Sequence, residues 1–199
     1  MAYTNILNTV DNVDGILLDL GFGKGIDLSS IINDMNEGKI KTRDISLFDS
    51  FEGQPEPSSI DEEAFVKGDY IRPIQPAYDI VNTIKANVCI CKGWIEDTLE
   101  ECISKETVAV AHIDLIGYES TLFSLNTIYR RLAEQGVIVI KDYENYIGVK
   151  KATDKFANTN KLSVNKTAIS DSTAFIYKPK VNKTVTNKKV NRTWSSTLT

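Results

Sequence analysis

The sequence predicts an α/β fold, a mostly parallel sheet packed between layers of helices. Short apolar runs alternate with amphipathic stretches along the chain, the order that a parallel sheet with helical crossovers requires. Two of those runs also end in polar groups: residues 108–115 are broken near their end by Asp114, and residues 137–140 run into Lys141 and Asp142. Buried parallel strands deliver polar side chains at their C-terminal edge, where open α/β sheets bind ligands.

Taken in order, residues 15–20 read as a short buried strand that ends where Gly21, Gly23 and Gly25 open a turn. Residues 26–37 carry apolar side chains at 28, 31, 32 and 35, a helical spacing. Residues 44–48 form a second strand. Gly53, Pro55 and Pro57 then break any regular element and make 50–57 a surface loop. A helix over 76–86, a strand over 88–91, a short helix over 96–104 and the strand over 108–115 follow. A longer helix over 118–134 leads to the fifth strand at 137–140, and the runs 162–169 and 173–177 read as a terminal strand pair.

The 199 residues suit one domain, placed at 1–178, with 179–199 as a basic, flexible tail. A composition of 42% hydrophobic and 25% charged residues excludes a disordered or fibrous chain. No apolar stretch approaches the roughly 20 residues of a membrane span, and residues 1–14 are too polar for a signal peptide. A cytoplasmic address with no membrane partner is therefore expected. Three cysteines without a Cys-x-x-Cys unit argue against a disulfide framework and a structural zinc; Cys89 and Cys91, on one face of a strand, are expected to be buried thiols. The net charge of -4 hides an asymmetry, because residues 178–199 hold six Lys or Arg and no acid. Such a tail is able to visit nucleic acid, but it has little hydrophobic periodicity and no aromatic residue beyond Trp194. It reads as a solvated terminus, and no nucleic-acid partner is expected.

The segment from Asp19 through Gly21, Phe22, Gly23 and Lys24 to Gly25 lies between a strand and a helix, the context in which a glycine-rich loop cradles a ligand. Glycine lets the backbone approach that ligand closely. In a dinucleotide fingerprint the third glycine falls at position 26, which is Ile26 here, with Gly25 one residue early. A ligand without a pyrophosphate suits this spacing better. S-adenosylmethionine is such a ligand, with its amino and carboxylate ends over the loop and Asp19 facing the ammonium. Asp49, at the end of the second strand, is placed to accept hydrogen bonds from two vicinal ribose hydroxyls.

Asp49-Ser50-Phe51-Glu52-Gly53-Gln54-Pro55 resembles the Asp-Ser-Phe-Glu-Gly-x-Pro signature of the macrocin O-methyltransferase family, enzymes that methylate sugar hydroxyls on natural products. Gly93-Trp94-Ile95-Glu96-Asp97-Thr98-Leu99, Tyr118-Glu119-Ser120-Thr121, and Asp142-Tyr143 followed by Gly148, Ala152, Asp154 and Phe156 are similar to three further segments of that family, in the same order. The resemblance implies a three-layer αβα Rossmann-like class I methyltransferase fold, with a seven-stranded, mostly parallel sheet whose last strand is antiparallel. It also implies S-adenosylmethionine as cofactor, a divalent cation (usually magnesium), and a small hydroxylated acceptor, and it leaves a homo-oligomer open. Carried over by position, Asp49 holds the ribose, Gly93 and Trp94 border the adenine, and Asp114 and Asp142 hold the metal; with the loop residues Asp19, Gly21, Phe22, Gly23 and Gly25, Ser50 and Asp114 complete the expected cofactor-binding set.

Two departures bear on that metal. The second acid of the family's Asp-x-Asp is Ile116 here, and the first of its two successive acids after the fifth strand is Lys141. A lysine there is able to pair with Asp114 or Asp142 and take the cation's place, so metal dependence stays open. The family's longer N-terminal region, which helps cover the substrate, is matched by only about 15 residues before the first strand; that leaves the acceptor pocket open, closed by another subunit, or built for something other than a glycoside. Methyl transfer needs an aligned acceptor oxygen and a group to take its proton. Asp114 is the first candidate, then Asp142, with His112 and Lys141 as further ones. The competing readings are a degenerate methyltransferase domain that binds cofactor or a protein partner without catalysis, a nucleic-acid methyltransferase using the tail, and, disfavoured by the glycine spacing, a nicotinamide oxidoreductase.

Overall fold

The computed structural model describes residues 3–61, 64–166 and 172–181. Its seven strands are β1 (Ile16–Leu20), β2 (Ile45–Asp49), β3 (Val88–Lys92), β4 (Val108–Ile113), β5 (Leu132–Ile140), β6 (Asn165–Lys166) and β7 (Ala174–Tyr177), in one sheet of order β3-β2-β1-β4-β5-β7-β6. The first five are parallel, and β7 runs antiparallel to both β5 and β6. The six helices are α1 (Thr4–Asn8), α2 (Ile26–Asn36), α3 (Gln75–Val81), α4 (Ile95–Cys102), α5 (Tyr118–Arg131) and α6 (Ile147–Asn160). From β1 the chain builds outward to β2 and β3, then returns to the other side of β1 for β4 and β5. The strand order therefore reverses between β1 and β4, which opens a crevice at their C-terminal ends.

Period-two alternation divides the core between the two sheet faces. Leu18, Leu20, Ile113, Ile138 and Ile140 pack with Leu99 of α4, Leu125 and Ile128 of α5, and Val149 and Phe156 of α6. Leu17, Leu47, Val110 and Val139 pack on the opposite face with Ile6 and Leu7 of α1, Leu28, Ile31, Ile32 and Met35 of α2, and Ala77 of α3. Full burial of an aliphatic side chain of this size stabilises by about 2 kcal/mol. All six residues of β4 are buried, and His112 is the one ionisable group among them.

The differences from the sequence reading have local causes. Helix α1 was not foreseen: it is only five residues long, and it forms because Ile6, Leu7 and Val10 cover the sheet face beneath it. Helix α3 stops at Val81, where the Thr83 hydroxyl donates to the Ile80 carbonyl and competes with a further helical turn. Helix α5 stops at Arg131, because Leu132 turns extended (ψ 129°), pairs with Val108 and buries its side chain. The ammonium of Lys178 then donates to the carbonyls of Tyr129 and Leu132 at this helix end. Cys91 is buried but Cys89 is exposed, since β3 is an edge strand with one side uncovered; both are free thiols. Residues 167–169 of the first late run, and the tail from 182 onward, lie outside the described residues. Among those described, no helix is long and apolar enough to cross a membrane.

Arg43, just before β2, anchors the N-terminal segment to the sheet. Its buried guanidinium donates to the carbonyls of Val13 (2.7 Å), Gly15 (2.9 Å) and Val10 (2.6 Å). Arg43→Met leaves these carbonyls without a charged donor and is expected to cost about 2–4 kcal/mol in urea denaturation. Arg43→Lys, which keeps one point charge but not the fork, should recover only part of that loss.

Candidate active site

A cleft of about 360 Å³ opens at the C-terminal ends of β1, β2, β4 and β5. Asp19, Gly21, Phe22, Gly23, Asp49, Ser50, Gly93, Trp94, His112, Asp114, Lys141 and Asp142 all line it. Gly25 does not. Its φ of +70° starts α2, and a Cβ there would lie 2.5 Å from the Phe22 ring, so this glycine serves packing at the helix entry rather than ligand approach.

The glycine loop owes its course to Gly21. At φ +85° its Cβ would fall 2.3 Å from the Asp114 carbonyl oxygen, so only glycine lets the exits of β1 and β4 run this close. Around Gly23 (φ +54°) there is open space, which leaves its backbone accessible from the cleft. Asp49 ties this loop to the next one. One carboxylate oxygen accepts the Phe22 N–H (2.8 Å) and, at longer range, the Gly23 N–H (3.4 Å), while the other accepts the Phe51 N–H (2.7 Å) and keeps a further lone pair. The Ser50 hydroxyl donates to the Gly53 carbonyl (3.0 Å) and closes the turn that follows. Gly93 (φ +145°) donates its N–H to the Asp49 carbonyl (3.0 Å), and Trp94 caps α4 in an extended conformation. Asp61, 1% exposed, accepts from the Ser58 hydroxyl (2.7 Å) and the Tyr118 N–H (2.9 Å), fastening the loop after β2 to the start of α5.

The floor of the cleft is ionic. Asp19 and His112 are cross-strand partners on β1 and β4, and Nδ1 of the imidazole lies 2.8 Å from Asp19 Oδ1. One Asp19 oxygen is thus engaged by the imidazole. Burial pulls the His112 pKa down, but the hydrogen bond and charge of Asp19, with Asp114 and Asp27, outweigh it and hold the imidazole above its ordinary value. His112 Nε2 is buried without a hydrogen-bond partner among the described residues. The Lys141 ammonium sits between Asp27 (2.5 Å) and Asp114 (3.1 Å). Burial opposes its charge, yet these two carboxylates prevail and raise its pKa, so it stays an ammonium rather than a base. Burial pushes the Asp114 carboxyl above the ordinary carboxylate range against the pull of Lys141 and His112. Asp142, at φ +54°, turns Oδ1 to the Asn145 amide (2.9 Å) and the Ser172 hydroxyl (3.2 Å).

Residues 3–178 match the profile of the family described as Macrocin-O-methyltransferase (TylF). The chain belongs to this family. Among curated proteins it is 24% identical over 162 residues to the demethyldecarbamoylnovobiocin O-methyltransferase of Streptomyces niveus, a match covering 73% of this chain and 59% of that protein. The chain thus spans about three-fifths of the length of this relative. Among solved structures it is similar to CalS11, a calicheamicin methyltransferase (TM-score 0.77, 17% identity, 87% of this chain and 76% of that one). It is also similar to the O-methyltransferase NovP (TM-score 0.75, 21% identity, 88% and 78%). These likenesses show the class I methyltransferase fold.

The side chains do not fit the divalent cation that macrocin O-methyltransferases imply. Magnesium wants near-octahedral oxygen ligation. Here Asp114 Oδ2 accepts from an ammonium, Asp142 faces an amide and a hydroxyl, and Ile116, 7% exposed, brings an apolar group to the cleft wall. Among the described residues no three His, Cys, Asp or Glu stand together to hold a metal.

Sequence reasoning missed Asp27 and Tyr3. Asp27 reads as an ordinary acid in the first turn of α2, and only the fold brings it to Lys141. The Tyr3 ring meets His112 edge-on at 5.2 Å, and burial beside Asp27 raises its phenol above the ordinary range. Its signal was the apolar spacing of Ile6, Leu7 and Val10 behind it.

The two loop glycines separate packing from conformation. Gly21→Ala must displace the Asp114 backbone and is expected to lose at least about 2 kcal/mol in urea unfolding. Gly23→Ala, with open space around it, should lose only the roughly 1 kcal/mol of a left-handed alanine.

Proposed function

We propose that this protein is an S-adenosylmethionine-dependent O-methyltransferase acting on a hydroxyl of a small molecule, a sugar or natural product. The observation that carries the reading is one cleft shared by a glycine loop, the Asp49 carboxylate that fastens it, the Gly93–Trp94 turn and the Asp114–Lys141 pair. Family membership favours catalysis over a domain that has kept the fold alone.

In this reading the backbone at Gly21 and Gly23 gives the methionine end its close approach, Asp49 with Ser50 takes the ribose hydroxyls, and Trp94 borders the adenine. Bound S-adenosylmethionine supplies a methyl group on a positively charged sulfur. With that methyl group in place, Asp114 would stand ready to take the proton that the acceptor hydroxyl loses as it is methylated. Lys141, fixed by Asp27, holds Asp114 in place. His112 is 2% exposed and tied to Asp19; it supports the floor rather than reaching the acceptor. Asp142 borders the cleft as a positioning residue for the acceptor.

Calorimetric titration with S-adenosylmethionine tests the reading first. Saturable binding is expected, weakened about tenfold or more by Asp49→Ala, which removes two charge-assisted acceptors. A wild-type protein that binds neither this compound nor its demethylated product sinks the proposal. With a turned-over acceptor in hand, Asp114→Asn should lower kcat by about 10² while leaving cofactor affinity within about threefold, the pattern of a lost general base.

A further inference from the structure

The ammonium of Lys141 stands where a bound cation has most to gain, between two partly buried carboxylates on the wall of the cleft. Asp27 approaches from the first turn of α2 and Asp114 from the exit of β4, with Lys141 on the adjoining exit of β5. Each comes from a different element, so the ammonium ties three elements together at one point. Asp19, the remaining carboxylate of the floor, has its own partner in His112, and Asp142 has Asn145 and Ser172. No carboxylate of the floor is left facing its neighbours without a donor. Ile116, at the end of the loop leaving β4, closes the same wall with carbon.

We infer that Lys141 is the resident cation of this site, and that the protein neither binds a divalent metal in the cleft nor needs one. A divalent ion would have to displace an ammonium held by two carboxylates, and would then find Asp27 and Asp114 but no full oxygen shell. The ammonium does what a metal's charge would do for Asp114, fixing its orientation and offsetting its charge, without polarising the acceptor oxygen as a Lewis acid does. The purpose of the cation rests on the methyltransferase reading; its geometry does not.

The charge pattern supplies a direct test on the full chain. Replacing Lys141 by a carboxylate (K141D) removes the ammonium and adds an acid beside Asp27 and Asp114, a donor set closer to what hard cations favour. Manganese serves as the probe, with free ion followed by electron paramagnetic resonance. The wild type should show no saturable binding up to about 1 mM, whereas K141D should gain a site about tenfold tighter or better that magnesium competes for and D114N removes. Affinity for S-adenosylmethionine in the wild type should be the same in chelator and in excess magnesium. Saturable manganese binding by the wild type that D114N or D142N abolishes overturns the inference, as does a folded K141D that gains none. Should K141D fail to fold, K141Q removes the charge at nearly constant size; a gain in manganese binding supports the inference and no gain opposes it. A wild type that binds neither S-adenosylmethionine nor manganese retires the methyltransferase reading while bearing out the resident cation.

Discussion

The cleft depends on how closely the chain leaving β1 passes the chain leaving β4. Gly21 donates its N–H to Phe48 of β2, Asp114 donates its N–H to Leu20 of β1, and the space between Gly21 and the Asp114 carbonyl is too small for a methyl group. The hydrogen-bond ladder thus continues past the last paired residues of the strands and holds both loops before either turns away. Backbone placed by a sheet is far stiffer than backbone placed by a free loop, because each departure breaks a buried hydrogen bond worth about 1 kcal/mol or more. Everything polar in the site hangs from these two exits. Asp19 and His112 are the last cross-strand pair but one below them, Asp114 is the exit of β4 itself, and Asp49 reaches across from β2 to hold the Phe22 N–H.

That constraint explains the division of labour in the glycine loop. Three glycines within five residues look alike in the sequence, yet each answers a different requirement. Gly21 avoids backbone, Gly25 avoids the Phe22 ring at the start of α2, and Gly23 has open space around it while its N–H points to Asp49. Composition identified a loop of the right kind, while only the packing distinguishes the residue open to the cleft from the one that seats a helix.

The same distinction marks what was legible in the sequence more widely. Patterns that are local in the chain were readable: the apolar strands, the helix spacing over α2, the glycine turn, and the polar groups at the strand ends. The family motifs carried the remaining order, including the antiparallel final strand. Features that depend on strand order or on distant pairing were not readable. Cys89 is exposed because β3 lies at the sheet edge, a fact of topology that an apolar run cannot report. Arg43 looks like a surface cation until three carbonyls from the segment before β1 are found around its guanidinium. Asp27 lies 114 positions from Lys141, and only the crossover from β1 to α2 aims it at the exit of β5. The possibility of a lysine standing in for a cation was visible, but the partner assigned to it by spacing was Asp114 or Asp142, whereas the fold supplies Asp114 and Asp27.

Pairing on the floor also bears on the chemistry proposed for the site. Methyl transfer from a sulfonium extinguishes a positive charge while a proton leaves the acceptor. An unpaired carboxylate beside the sulfur would stabilise the reactant more than the transition state and so slow the step. Here Asp27 and Asp114 share Lys141, and Asp19 shares His112, so their field at the cleft is largely spent within the protein. Asp114 combines an ion-pair partner with burial that raises its proton affinity. It therefore receives a proton more readily than a solvated carboxylate, yet holds little Coulombic grip on the departing charge. A divalent ion at the same point would invert that balance, drawing electron density from the carboxylates and acidifying the acceptor instead. Exchanging an acid for Lys141 therefore changes more than the inventory of ligands: it moves the task of making the hydroxyl lose its proton from a metal that acidifies the acceptor to a protein carboxylate that takes the proton.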